Sequence, residues 1–242
     1  MITDLITLPS QEWIINHIEK KELSFLMEIV KDTEVVIDIG ANFGTHSLNY
    51  ATENNIVYAI EPSIENYDIL QKNIERHNKQ NIKPLNLALG KEKSTIDLYV
   101  NRANCGDNRI YLTSDYTPAN SHKVAMDTLD SLVESYNINR VDYIKIDTQG
   151  CELDIFEGGW NTFTKNKPDV FLEFWPWGLN QKNSSNISVF KDIVDSCQYN
   201  MYMFHKHNGL MKYDMNQAYD FYKTHSNINF HINLFLSTKE VI

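Results

Sequence analysis

Asp38-Ile39-Gly40-Ala41-Asn42-Phe43-Gly44 follows a short apolar run, and Glu61-Pro62 closes the next apolar run, 21 residues beyond Gly40. A glycine-containing turn lets backbone approach a ligand closely, and a carboxylate ending the neighbouring strand can accept both hydroxyls of a ribose. This is the chemistry of a nucleoside-binding turn, with Asp38, Gly40, Ala41, Asn42, Gly44, Glu61 and Pro62 as candidate contacts. In Asn86-Leu87-Ala88-Leu89-Gly90, Ala88 marks the end of a third strand, where an adenine is expected. A dinucleotide fingerprint needs a second glycine at position 42, so that a pyrophosphate can reach the helix N-terminus. Asn42 obstructs a pyrophosphate and suits a phosphate-free cofactor whose amino-acid carboxylate and amine need polar partners; S-adenosylmethionine is such a cofactor. The plainer reading is that the glycines only turn the chain and Glu61 gives the next helix an acidic first turn.

A second constellation lies in Val141-Asp142-Tyr143-Ile144-Lys145-Ile146-Asp147-Thr148-Gln149-Gly150-Cys151-Glu152. Lys145, Asp147 and Glu152 surround the end of an apolar strand, where charge is costly unless it pairs or performs chemistry. The period of two puts Lys145 and Asp147 on one face. Either a structural ion pair with Glu152 or a catalytic group accounts for them. As a proton acceptor, Asp147 is the first choice and Glu152 the second, provided burial raises the carboxyl toward neutrality; a neighbouring Lys145 orients Asp147 but also depresses it.

The elements that must position these residues alternate. Helical spacing over Trp13–Val30 (Ile14, Ile18, Leu23, Leu26) predicts an N-terminal helical cap within residues 1–33. Strands are expected at 35–39, 56–60, 82–88, 143–147 and 170–174, with helices at 42–52, 67–78, 126–136, 152–163 and 187–197. Residues 94–100 alternate weakly, 101–121 form a polar inserted flap, and 201–205, 210–213 and 232–236 are late strands. Such alternation predicts a single α/β domain over 1–242, doubly wound around a mostly parallel sheet, with ligands at the carboxyl ends of the strands.

With 242 residues, 42% of them hydrophobic, the chain is long enough for one substantial core. A net charge of −10 argues against partners that demand a basic footprint, so no nucleic acid is expected, and small molecules, sugars or peptides fit better. The three cysteines form no compact ligand pattern, Met1–Gln11 has no leader-like basic and apolar sequence, and no apolar run reaches about 18 residues. A reduced, cytoplasmic protein without a membrane span is expected.

The Asp-x-Gly-Ala-Asn-x-Gly turn, Glu61-Pro62, Thr128-Leu129-Asp130, Lys145-Ile-Asp147-x-x-Gly150-x-Glu152 and Leu172-Glu173 together resemble the FkbM-type family of S-adenosylmethionine-dependent methyltransferases. The resemblance covers roughly 35–173; the flap and everything after Trp175 match no pattern. It implies a seven-stranded, Rossmann-like sheet of the class I methyltransferase type and O-methylation of a hydroxyl on a sugar or natural product. The rival readings are a nicotinamide-dependent oxidoreductase, disfavoured by Asn42, and an inactive member that binds a glycan or partner. No metal is expected. A magnesium set of Asp127, Asp130, Asp147 and Glu173 is a minority reading, and His205 with His207 lacks a local third zinc ligand. His46 is read as packed or solvated rather than facing an acceptor. Trp175-Pro176-Trp177 either stacks on a sugar ring or shelters the core.

Overall fold

The computed structural model describes residues 5–6, 20–113, 116–182, 187–205 and 208–242. Trp13, Ile14, Ile18 and His207 lie outside them. The described residues form two compact units, one from Met1–Ala88 with Ser94–Met126, the other from Leu89–Lys93 with Asp127–Ile242.

In the first unit β1 (Val35–Ile39), β2 (Ile56–Ile60) and β3 (Ile82–Leu85) pair in parallel, with Ile39 level with Ile60 and Ile60 level with Leu85. The strands are β-branched and largely buried, as suits a sheet covered on both faces. The helices are α1 (Lys20–Val30), α2 (Thr45–Tyr50) and α3 (Ile64–Arg76). Leu23, Leu26 and Val30 give α1 a buried stripe at helical spacing. Ser63 caps α3. Asn73 of α3 joins three pieces of chain: its Oδ1 accepts from Ile6 N at 2.7 Å, and its Nδ2 donates to Ile6 O and Phe43 O at 2.9 and 2.8 Å. The third strand stops at Leu85, and β4 (Ala88–Leu89) is a separate two-residue strand. The antiparallel pair β5 (Ser94–Val100) and β6 (Asn120–Asp127) brackets the expected flap. Arg109 pins that segment: its backbone bridges Tyr99, its guanidinium pairs with Asp107, and Tyr116 lies beneath it at 4.6 Å.

The second unit holds α4 (Leu129–Ser135), β7 (Tyr143–Ile146), α5 (Glu152–Gly158), α6 (Trp160–Asn166), β8 (Asp169–Phe174), α7 (Pro176–Gln181), α8 (Ile187–Cys197), β9 (Asn200–His205), β10 (Gly209–Tyr213), α9 (Met215–His225) and β11 (Ile232–Ser237). β7 and β8 are parallel, whereas β11 runs antiparallel to both β8 and β9, and β10 to β9. Phe156, Phe163, Phe174 and Phe190 fill its core in tilted and stacked pairs.

The α/β architecture with parallel strands stands as expected, in three parallel-paired strands of the first unit and five strands of the second, one more than seven. Several elements differ from the expectation. Met126 and Asp127 finish β6, because Thr128 is the residue that caps α4. The helix expected over 152–163 breaks at Gly158 and Gly159: a Cβ on Gly158 would lie 2.1 Å from Gly90 O. Helix α9 was not expected, although Asp214 and Gln217 form a complete capping box at its start.

Candidate functional site

The turn after β1 winds through the left-handed region at Gly40, Asn42 and Gly44, with φ of 80, 53 and 90°. Glycine suits position 44, where the backbone is left-handed and a Cβ would crowd Leu70 Cδ1 at 2.6 Å. The amides of this turn are engaged internally. Gly40 N and Ala41 N donate to Ile60 O at 3.0 and 2.9 Å, Gly44 N to Ala41 O at 2.9 Å, and Asn42 N to Glu61 Oε2 at 2.8 Å. Glu61 Oε1 accepts from Ser63 N at 2.9 Å and from Asn66 Nδ2 at 3.5 Å, so the turn, the end of β2 and the start of α3 share one carboxylate. Asn86 Nδ2 donates to the carbonyls of Glu61 and Pro62.

Asp38 is fully buried and accepts from Ser47 Oγ at 2.6 Å, which fixes α2 against β1. Ala88 packs with Leu98 and Val124. His46 Nδ1 lies 3.0 Å from Tyr50 Oη, one helical turn on. The flap contributes two contacts with no evident signal in the sequence. Asn66 Nδ2 also donates to Cys105 O at 3.0 Å, and Cys105 Sγ is 3.8 Å from Asn42 Oδ1. Burial pushes the Cys105 thiol up to about 12, so it is a neutral packing group.

In the second unit Lys145 is buried on β7, and its Nζ reaches Asp147 Oδ2 at 3.3 Å. Asp147, one-third exposed, also accepts from Gln149 Nε2 at 3.2 Å. Gln149 takes a left-handed φ of 56°, which turns its amide to bridge Asp147 and Glu173 Oε2, the latter at 2.9 Å. Glu173 is level with Asn233 in the β8–β11 register, two residues beyond His231, whose Nε2 lies 3.5 Å from Glu173 Oε1. Glu152 opens α5, and its Oε1 accepts from Thr148 N, Thr148 Oγ1 and Gly150 N at 3.2, 3.2 and 3.0 Å. Its Oε2 is buried without a partner among the described residues.

Burial pushes the Glu152 carboxyl up to about 7 against the pull of those amides, and the charge of Asp147 adds to the rise. Burial, with Asp147 and Glu152 beside it, also holds Glu173 well above the usual carboxylate range, while Lys145 and Gln149 oppose. Burial holds His231 below the usual imidazole range. Lys145, Asp147 and Glu152, the residues singled out on β7 and α5, are thus joined by three others, Gln149, Glu173 and His231. Glu173 had a signal, a charge within an apolar strand; His231 had none.

The magnesium set does not assemble. Asp130 accepts from Asn161 and Thr162 at the start of α6, and Asp127 accepts from Thr128 N beside Lys93. Among the described residues no group of three or more His, Cys, Asp or Glu side chains is placed to hold a metal. Trp175 and Trp177 are buried against each other, with ring centroids 5.1 Å apart. Among the described residues no helix is long and apolar enough to cross a membrane.

The chain is similar to a hexuronic acid methyltransferase, AglP, of Haloferax volcanii, at 26% identity over 58% of this chain and 56% of that protein. It is also similar to Methyltransferase 1 of Beauveria bassiana, at 25% identity over 52% of this chain and 59% of that protein. The matches thus span less than two thirds of each of these relatives. The crystal structure of methyltransferase FkbM from Methylobacillus flagellatus KT superposes with a TM-score of 0.53 at 14% identity, covering 85% of this chain and 44% of that one, which establishes a shared fold. The family model of the methyltransferase FkbM domain matches residues 38–221, a stretch that runs through both units and includes Asp38, Glu61, Lys145, Asp147, Glu152 and Glu173. The chain belongs to the FkbM methyltransferase domain family.

Proposed function

We propose that this chain is an S-adenosylmethionine-dependent O-methyltransferase acting on a hydroxyl of a saccharide or related metabolite, its two units working as one methyltransferase domain. The observation that carries the cofactor reading is the amide bonding of the turn after β1. With the amides of Gly40, Ala41, Asn42 and Gly44 bonded internally, they cannot cradle a pyrophosphate, while Glu61 stands ready at the strand end for a ribose. That combination disfavours a nicotinamide dinucleotide and suits a phosphate-free nucleoside.

Bound there, S-adenosylmethionine supplies an electrophilic methyl group. Glu61 would accept the ribose hydroxyls, Asn42 and the turn backbone would hold the amino-acid part, and Ala88 would line the adenine end. In the second unit Asp147, Glu152 and Glu173 are the candidate proton acceptors, and Lys145 orients Asp147. Alignment of the acceptor oxygen with the methyl carbon supplies much of the acceleration, and proton removal the rest. The saccharide class is supported by the similarity to the Haloferax volcanii relative named for a hexuronic acid acceptor.

Calorimetric titration with S-adenosylhomocysteine, with NADH in parallel, tests the cofactor. Binding of the first alone is expected; preference for NADH would overturn the reading. Methylation confined to nitrogen or carbon acceptors would reject the oxygen chemistry.

A further inference from the structure

Residues 229–231 lead into β11 and are fastened in place. Trp175 Nε1 donates to Asn229 Oδ1 at 2.9 Å, and Phe230 N donates to Ile228 O at 2.8 Å. So held, Phe230 leaves 53% of its surface in water, backed by Phe221 and His225 at 6.1 and 5.9 Å and stacked with His231 at 6.4 Å and 21°. His231 is itself half-exposed and reaches Glu173, behind which lie Gln149 and Asp147. Within a few residues the surface passes from an aromatic ring to a carboxylate cluster.

Such a juxtaposition has a complementary ligand. A pyranose presents a face of C–H groups, which packs on an aromatic ring, and a rim of hydroxyl donors, which carboxylates accept. Charge narrows the class further. Lys145 already pairs with Asp147 at 3.3 Å, and the other neighbours of Glu173 include the carboxyl of Glu152, so a sugar carrying its own carboxylate meets acidic groups rather than a cation. Resting on the methyl-transfer reading above, we infer that Phe230, His231 and Glu173 form an acceptor subsite for a neutral pyranose, with the sugar stacked on Phe230 and its reacting hydroxyl donated to Glu173 Oε1. Gln149 occupies Oε2, which leaves Oε1 toward His231. As the oxygen–methyl bond forms and the sulfur–methyl bond breaks, the hydroxyl proton passes to Glu173, giving a methyl ether, S-adenosylhomocysteine and a neutral carboxyl. His231 then carries that proton to water. Asp147 is the poorer acceptor, because Lys145 and Gln149 both stabilise its charge.

The test uses matched probes, methyl glucoside with methyl glucuronide and methyl galactoside with methyl galacturonide, with methyl ethers detected by mass spectrometry. Affinity for S-adenosylhomocysteine is measured on every variant. The glycosides should be methylated, with the uronides poorer by about tenfold in kcat/KM, the effect of roughly one lost favourable contact. Phe230→Ala should raise KM and Phe230→Tyr restore it. Glu173→Gln should lower kcat by about 100-fold or more, as for loss of a general base, and abolish the rise of kcat with pH, while S-adenosylhomocysteine binds as before. Better turnover of the uronides, an unchanged KM in Phe230→Ala, an active Glu173→Gln, or no glycoside methylated by protein that binds S-adenosylhomocysteine would each overturn the subsite. Failure to bind S-adenosylhomocysteine would instead overturn the cofactor reading beneath it.

Discussion

Two buried carboxylates illustrate how position separates roles. Glu61 is only 5% exposed and already accepts from two backbone amides, so it is held rigid before any ligand arrives. Glu61→Ala should therefore weaken S-adenosylhomocysteine binding, by about 1.5–3 kcal/mol for each charge-assisted ribose bond lost. Calorimetry of the variant checks this, and unchanged affinity would remove the ribose role. Glu152 has the opposite balance, with an unpartnered Oε2 and a carboxyl raised from 4.5 to about 7. Between those values the folded chain keeps a proton that the unfolded chain has lost, so the group's contribution to stability falls as pH rises from about 4.5 through 7, on the order of 3 kcal/mol in all. Glu152→Gln retains an oxygen for Thr148 and Gly150 and should flatten that part of the stability profile, measured by denaturant unfolding at several pH values. An unaltered slope would mean that the carboxyl titrates normally.

The elements record where neighbours overrule local pattern. Gly158 is the last residue of α5, and the carbonyl of Gly90 lies where its side chain would be, so Gly158→Ala should cost about 3 kcal/mol, at the upper end for overpacking, read as a lowered urea midpoint with an unchanged slope. One uninterrupted helix was expected over 152–163 because periodicity sees the apolar spacing, whereas Gly159 closes α5 and opens α6. The β1–turn–β2 segment was legible because the strand, the glycines and Glu61 lie close in sequence and each carries its own signal. Lys145, Asp147 and Glu152 were legible as charges beside an apolar strand. Glu173 and His231 meet through the antiparallel pairing of β8 and β11, which joins segments 58 residues apart, and no spacing rule reaches that far. Thr128 was legible as part of a motif, but its work as the cap of α4 shifted the expected helix start.

At the scale of the whole molecule, the formal charge of −10 bears on the proposed cofactor cycle. S-adenosylmethionine carries a net positive charge, whereas S-adenosylhomocysteine is neutral overall. The field of the protein therefore favours arrival of the first and does nothing to retain the second. Raising ionic strength from about 0.01 to 1 M shortens the Debye length from about 30 to 3 Å and should slow association of S-adenosylmethionine several-fold while leaving S-adenosylhomocysteine nearly unaffected. Stopped-flow binding of the two at both salts decides this; equal salt dependence would mean that local contacts dominate.

Asn73 imitates a strand with a side chain, since its amide offers Ile6 both an acceptor and a donor, as a neighbouring peptide would, while reaching Phe43 in the turn after β1. The N–H of Ile6 is consequently a clock for this attachment. It exchanges with solvent deuterium only when its bond to Asn73 opens, so its protection factor reads the free energy of releasing residue 6 from α3.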